Sequence, residues 1–385
     1  MKRKLILFLL PILCSCSFKY NYEVPRYDLI GTFSSDGEYV LPLNTSVFLQ
    51  MYNQDELDLV KKLFKNKILD IHQLVDAYHQ YDDVTNIYTL NNLPSNTETV
   101  IEENLFNVIK YGIDITKLSK GIFNISMGNV IDLWKPYFNE ENNLNEPSSD
   151  EINTSLLSVV NYQEIDDYIV LNEEKSSILI KDYNDQKINI NLGGISKGYA
   201  LDQVSNLFIN NEPAIISAGG SSISLKGEFP LSNRKHYLVN LREPLIGKDI
   251  VHNEYLLEIN VDKYHNISTS GIDQKYFYNE NNDIRHHILS SSTGYSENYH
   301  RAVTILSTCE SYILDSLSTI LMNIKDLNQI KSTVSAFENF YSTEIDYCIV
   351  NTNTENTFNL YINEGFDSII NKNKYSSKIN KIEII

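Results

Sequence analysis

Cysteine is scarce: four residues in 385, two of which, Cys14 and Cys16, lie at the extreme N-terminus. So few cannot staple a chain of this length, and a disulfide scaffold is excluded. Basic residues are also few, 32 Lys and Arg against 50 Asp and Glu, leaving a net charge of −18. That surface repels phosphate backbones and excludes non-specific nucleic-acid binding. An anionic ligand must therefore be held locally, by a metal ion, a lysine or backbone N–H groups. No internal repeat is visible, which sets aside solenoids and propellers. Apolar material is not lacking: 42% of residues are hydrophobic and 11% aromatic, enough for a real core in one large or two modest domains.

Residues 1–16 read MKRKLILFLLPILCSC. Lys2, Arg3 and Lys4 precede an apolar run, Leu5 to Leu13, that is too short to span a bilayer. The end of the run resembles a bacterial lipobox, with Leu13 at −3, Ser15 at −1 and Cys16 as the lipidated residue. Cys14 is excluded from that role by bulky Leu13 before it. The expectation is a signal peptide over 1–15, a lipid anchor at Cys16 and a body at the extracytoplasmic face of the cell membrane. An ordinary secretory signal or an uncleaved anchor would also place the body outside the cytoplasm. Cys309 and Cys348 then remain, either bridged or as two buried thiols.

Residues 16–40 read as a polar, tyrosine-rich tether, 41–370 as the functional domain and 371–385 as a C-terminal tail. Apolar residues at Leu59, Leu63, Ile68, Ile71, Val75 and Tyr78 have helical spacing. Further helices are expected over Glu102–Tyr111 and Thr308–Lys325, and a solvated loop over 137–153. Strands are expected at Thr45–Tyr52, Tyr168–Leu171, Ser177–Ile180, Ile188–Leu192, Ala214–Ser217, Tyr237–Leu241, Leu256–Val261, Tyr347–Val350 and Phe358–Ile362. This is an α+β pattern of mixed sheets with packed helices.

The densest chemical signal is NLGGISKGYALD, residues 191–202. Gly193 and Gly194 allow a sharp turn and a close ligand approach, and the N–H groups of the helix that follows, with Lys197, form an anion-binding corner. A turn whose glycines serve packing alone would read the same way. ISAGGSSISLKG (216–227) and STSGIDQKYF (268–277) are further turns at strand ends, and HHILSSSTGY (286–295) follows them. In TCESYILDSLSTILMNI (308–324), Ser307 and Glu310 have capping-box spacing, and Asp315 and Thr319 share one helical face. A carboxylate beside a hydroxyl suits Mg²⁺, which takes one or two protein oxygens plus substrate phosphates; it is also what a capped Asp–Thr pair looks like.

Taken in order, these segments resemble the ApbE family of FAD:protein FMN transferases. NLGGISKGYALD is similar to the family's DLGGIAKGYAVD, ISAGGSSI to NAGGDI, STSGIDQKYF to TSGDYxxYF, HHILSSSTGY to HHILDPxTGY and LDSLSTIL to ADALATAL. Upstream, KGIFNISMGNVIDLWK (120–135) resembles GxFDPTVGPLVNLW, and VDAYHQYDDVTNIYTLN (75–91) resembles the family's tyrosine-containing segment. The match covers roughly residues 40–365. It implies an ApbE-like fold with FAD in a cleft between two lobes, and transfer of FMN to a threonine (or serine) hydroxyl of an extracytoplasmic acceptor protein with release of AMP. By the same resemblance Mg²⁺ is held by Asp315, Thr319 and the carbonyl of Gly194, with Ser318 as a further ligand. FAD is contacted by Tyr78, Asn124, Ile125, Ser126, Asn191, Lys197 and Leu289. His287 accepts the proton of the incoming hydroxyl, and Asp315 is catalytic through the metal. Hydrolysis of FAD to FMN and AMP, or flavin binding without chemistry, would use the same motifs.

Several family carboxylates are replaced. Asn191, Asn124 and Ser221 stand where Asp is usual, Ile272 replaces the Asp of TSGD beside Asp273, Ser290 and Ser291 replace Asp-Pro, and Ser296 replaces a proline. Asn and Ser keep hydrogen bonding but lose charge. Asp315, Thr319, Gly194, Lys197 and His287 all remain, which favours an active member.

Overall fold

The computed structural model describes residues 26–29, 32–33, 39–139, 145–208, 213–229, 236–244, 255–262, 266–354 and 357–385. The expected signal peptide, Cys16 and most of the expected tether lie outside the described residues. Part of the tether does not: Arg26–Leu29 pairs antiparallel with Val47–Met51.

The scaffold is one nine-stranded sheet. Its strands run, edge to edge, Arg26–Leu29, Val47–Met51, Ala214–Ala218, Ser222–Lys226, Asn266–Gly271, Ala302–Ser307, Ile345–Thr354, Thr357–Ile362 and Ile379–Ile384. All neighbours are antiparallel except the last pair. The central strands are buried along their whole length, as in AIISA and AVTILS, because both faces of the sheet are covered. One face carries the helices and the larger core. The other is covered by the small sheet of Tyr237–Arg242, Tyr255–Val261 and Ile370–Tyr375 over a second core. Residues 371–385, expected as a tail, are thus corrected to two strands. Residues 370–375 complete the small sheet, and Ile379–Ile384 extends the large one.

Helix Gln54–Val75 exists as its period predicts, on a rotated face. Leu57, Phe64, Ile68 and Ile71 are buried, whereas Leu59 and Leu63 are exposed and Tyr78 lies beyond the helix end. The loop expected over 137–153 is shorter, because Gly128–Asn139 is helical and Ser148 opens helix Ser149–Leu156 with a full capping box to Glu151. Ile188–Leu192, expected as a strand, joins no sheet. A side chain takes the place of a neighbouring strand there: Asn91 donates to the Ile190 carbonyl at 2.9 Å and accepts from its N–H at 2.8 Å. Gly128 N–H donates to Asn189 O, and Asn191 N–H to Ile125 O. These bonds aim the glycine turn without a ladder. Cys309 and Cys348 are free thiols, and burial pushes both above the ordinary thiol range.

Candidate active site

Two helices define the site, Ser196–Ser205 bearing Lys197 and Ser311–Met322 bearing Asp315. They meet closely: a Cβ at Gly198 would lie 2.3 Å from the Ser311 carbonyl oxygen. Asp315 is only 2% exposed. Its Oδ2 accepts from Gly198 N–H at 3.1 Å, its Oδ1 accepts from Ser222 Oγ at 3.3 Å, and Lys197 Nζ lies 3.5 Å from Oδ1. A buried carboxylate persists when it is paired and hydrogen-bonded in this way. Thr319, one turn on, donates to the Asp315 carbonyl at 3.1 Å and lies 3.3 Å from Ser270 Oγ. A Cβ at Gly194 would stand 3.7 Å from the Thr319 methyl and 3.0 Å from the Phe123 ring, so the glycine backbone lies against Thr319. Asp315, Thr319 and Gly194 therefore come together. Ser318, also on this helix, is buried; its hydroxyl donates to the same Asp315 carbonyl at 3.0 Å and reaches Ser270 at 2.8 Å and Ser268 at 3.3 Å on the sheet side.

A carboxylate, a hydroxyl and a carbonyl are hard oxygen donors, the set that Mg²⁺ accepts. Among the described residues no group of three or more His, Cys, Asp and Glu gathers to hold a metal. A cation here would rest on one carboxylate, neutral oxygens and the phosphates of its ligand.

The glycine turn is anchored by the residues expected to touch FAD. Asn191 Oδ1 accepts from Gly193 N–H at 2.8 Å, and its Nδ2 reaches Tyr78 Oη at 3.4 Å. Asn124 is 7% exposed; its Oδ1 accepts from Ser126 N–H and Oγ, and its amide donates to Val160 O at 2.8 Å. Ile125 and Ser126 are fully buried. The Asn124 and Ser126 side chains are bonded to each other and to Val160, and the Ile125 side chain packs in the core. Leu289 packs its side chain into a small core with Met127, Val130, Trp134 and Ile152. Tyr78 is half-buried beside Asp132, with Lys135 Nζ 3.0 Å from its ring centroid. Burial, then the Asp132 charge, raises the Tyr78 phenol well above its usual range, so it remains a hydroxyl.

His287 is exposed, while its neighbour His286 is buried and bonded to the Glu297 carbonyl. The His287 N–H donates to Lys275 O at 3.2 Å, and Nδ1 lies 3.3 Å from the same carbonyl. A carbonyl only accepts, so Nδ1 carries the proton and Nε2 is left with its lone pair. The surrounding protein, then His286, Lys275 and Lys197, lower this imidazole to about 3. Since the side chain stays open to water, the direction of that shift, towards a neutral ring, is what bears on chemistry.

Lys275 was not among the residues expected from the sequence. Desolvation, with Lys197 as a like charge, lowers its ammonium below the ordinary lysine range. In a chain of charge −18 the two lysines make a local cationic corner. Its one sequence signal was its position in STSGIDQKYF. Ser222 and Ser270 were legible only as serines near turns, since their role depends on which strand faces the aspartate helix.

Three of the replaced carboxylates, at 191, 124 and 290, share an explanation. Asn191 and Asn124 accept backbone N–H groups two residues on, and Ser290 Oγ accepts from Ser292 and Thr293 N–H at 3.4 Å. These are local turn bonds that an amide or hydroxyl oxygen makes as well as a carboxylate. Charge is retained at Asp315, which reaches between helices.

The ApbE family model matches residues 43–339. The chain belongs to the ApbE family. Among curated relatives, a protein named FAD:protein FMN transferase from Buchnera aphidicola is 23% identical over 238 residues, 61% of this chain. The match spans 64% of that relative, less than two thirds of its length. Among solved structures, the ApbE protein of Thermotoga maritima has a TM-score of 0.68 at 22% identity, covering 90% of this chain and 99% of that one. The flavin transferase ApbE from Vibrio cholerae gives 0.66 at 18% identity, with 90% and 99% covered. These two share the ApbE fold of this chain.

Proposed function

We propose that this ApbE-family protein is a Mg²⁺-dependent FAD:protein FMN transferase. It would move FMN from FAD to a threonine (or serine) hydroxyl of an extracytoplasmic acceptor protein and release AMP, while tethered to the membrane through Cys16. The observation that carries the reading is the meeting of Asp315 with Lys197 and the Gly198 N–H at the glycine turn. A dianionic diphosphate needs such a corner in a chain this acidic. The name of the Buchnera relative supports the same chemistry.

Asp315, Thr319 and the Gly194 carbonyl would hold the Mg²⁺, which supplies charge neutralisation at the diphosphate. Lys197 binds the phosphate oxygens, while the Gly198 N–H of its helix stays with Asp315. Lys275 adds a second cation. Asn191 and Tyr78 flank the turn where the flavin half would lie. The acceptor oxygen attacks the FMN phosphorus, the bond to the bridging oxygen breaks, and AMP leaves with that oxygen. The hydroxyl proton passes to Nε2 of His287. A bound dianion offsets the lysine charges that depress this imidazole, so the base strengthens when substrate is present.

Purified protein mixed with FAD, Mg²⁺ and candidate extracytoplasmic flavoproteins is expected to give a fluorescent FMN-bearing acceptor band and stoichiometric AMP. AMP without an acceptor, at a comparable rate, would replace transfer with hydrolysis. No AMP under any condition would reduce the protein to a flavin binder.

A further inference from the structure

The two site helices lack local caps. Ser311–Met322 has Glu310 at its N-cap with no side-chain bond, and Ser307, expected to share a capping box with it, donates to Glu344 O and accepts from Cys309 N–H, ahead of the helix. Ser196–Ser205 has Ile195 at its N-cap, which has no acceptor. The orphan N–H groups of a helix start need acceptors when buried. They find them across the interface. Asp202, on the lysine helix, accepts from Ser311 N–H at 2.7 Å and from Tyr312 N–H at 3.0 Å. Asp315, on the aspartate helix, accepts from Gly198 N–H at 3.1 Å. Each helix thus caps the other with a carboxylate.

We infer that Asp202 is a positioning residue: by capping the aspartate helix from its neighbour, it fixes the axial position and rotation of Asp315 against Gly198 and Lys197. Capping by this side chain supplies acceptors for two helix-start N–H groups. Two such caps, one in each direction, lock sliding of the pair, and Gly198 permits the contact because no Cβ intervenes. The inference rests on the metal-site reading only for its consequence; the lock itself is independent of any bound ion.

The test compares full-length wild type with Asp202→Ala and Asp202→Asn. A core variant of the remote helix Leu327–Tyr341, Val334→Ala, serves as a control for lost stability. Amide exchange is followed without metal. Exchange at Gly198, which Asp202 does not touch, is expected to accelerate at least tenfold in Asp202→Ala, to recover largely in Asp202→Asn, and to stay unchanged in Val334→Ala. Unchanged protection at Gly198 alongside faster exchange at Ser311 and Tyr312 would make Asp202 a local cap only and overturn the inference. Mn²⁺ titration in the presence of FAD then separates the two readings. Weakened Mn²⁺ binding in Asp202→Ala alone supports the link to the metal site. A wild type that binds no protein-held Mn²⁺ removes the metal reading, and the exchange result still decides the lock.

Discussion

At the scale of the residue, the account turns on a few groups in unequal environments. His287 is biased towards the neutral ring, its imidazole held below the ordinary histidine range by the surrounding protein and the nearby positive groups. Its lone pair is thus available throughout the neutral range. On this group's account kcat/KM, which reports the free enzyme, is expected to be flat from about pH 6 to pH 8, whereas kcat, which reports the complex in which bound diphosphate strengthens the base, is expected to begin its acid fall at higher pH; His287→Gln is expected to cut kcat by about 10²–10⁴ with little change in FAD binding. Stopped-flow or discontinuous AMP assays across pH check both points. Asp202 behaves oppositely. Burial, with Glu310 adding a like charge, raises it to about 7 from 3.8 against the pull of its two backbone donors. In the unfolded chain it ionises near pH 4, so between about pH 4 and pH 7 the folded state binds the extra proton. Stability from this group is full below pH 4, falls as pH climbs to about 7, and then levels. The difference in Tm between wild type and Asp202→Asn should accordingly shift against the wild type from pH 5 to pH 7.5. A difference independent of pH would contradict the environment assigned to Asp202.

At the scale of the element, the lysine and aspartate helices act as one unit because Gly198 lets them touch. Gly198→Ala drives a methyl to 2.3 Å from the Ser311 carbonyl, a backbone atom that cannot swing aside. We expect a loss of about 1–3 kcal/mol in denaturant unfolding and a greater loss of AMP release, since the shift displaces Asp315 from Lys197. Element by element, the sequence was legible where a period or an apolar run decided the outcome. The buried strands Ala214–Ala218 and Tyr347–Val350, and the helix around Asp315, were visible from their own residues. Ile188–Leu192 reads as a strand by composition, yet Asn91, about a hundred positions earlier, supplies its partner. The pair Ser307 and Glu310 has capping-box spacing, but the helix begins later, at Ser311, and its first N–H groups go to Asp202 from another helix. Local patterns cannot register such long-range competitors.

At the scale of the molecule, the site was readable because its parts lie in motifs whose order matches a family; their convergence is a property of the fold. The nine-stranded sheet brings the Asn266–Gly271 strand beneath the aspartate helix, so that Ser268 and Ser270 face Ser318 while Thr269 and Gly271 face the opposite core. The C-terminal strands were missed because INKNKY is mostly polar and INKIEI half so, and only their pairing with distant strands makes them structure. Lys378 bonds to Glu243, whose side chain is 1% exposed, at 2.6 Å. Deleting residues 376–385 leaves that carboxylate buried without its partner and Thr357–Ile362 as an open edge. Thermal melting should show a loss of about 3–5 kcal/mol, with AMP release retained at low temperature because the site lies elsewhere. The central claim concerns a diphosphate clamped between the two helices by a cation on Asp315. Calorimetric titration of FAD, with Mg²⁺ and with EDTA, into wild type and Asp315→Ala tests it directly. Chelation should weaken wild-type affinity at least tenfold, and Asp315→Ala should match the chelated wild type whether or not Mg²⁺ is present. FAD affinity indifferent to both chelation and the substitution would contradict the account.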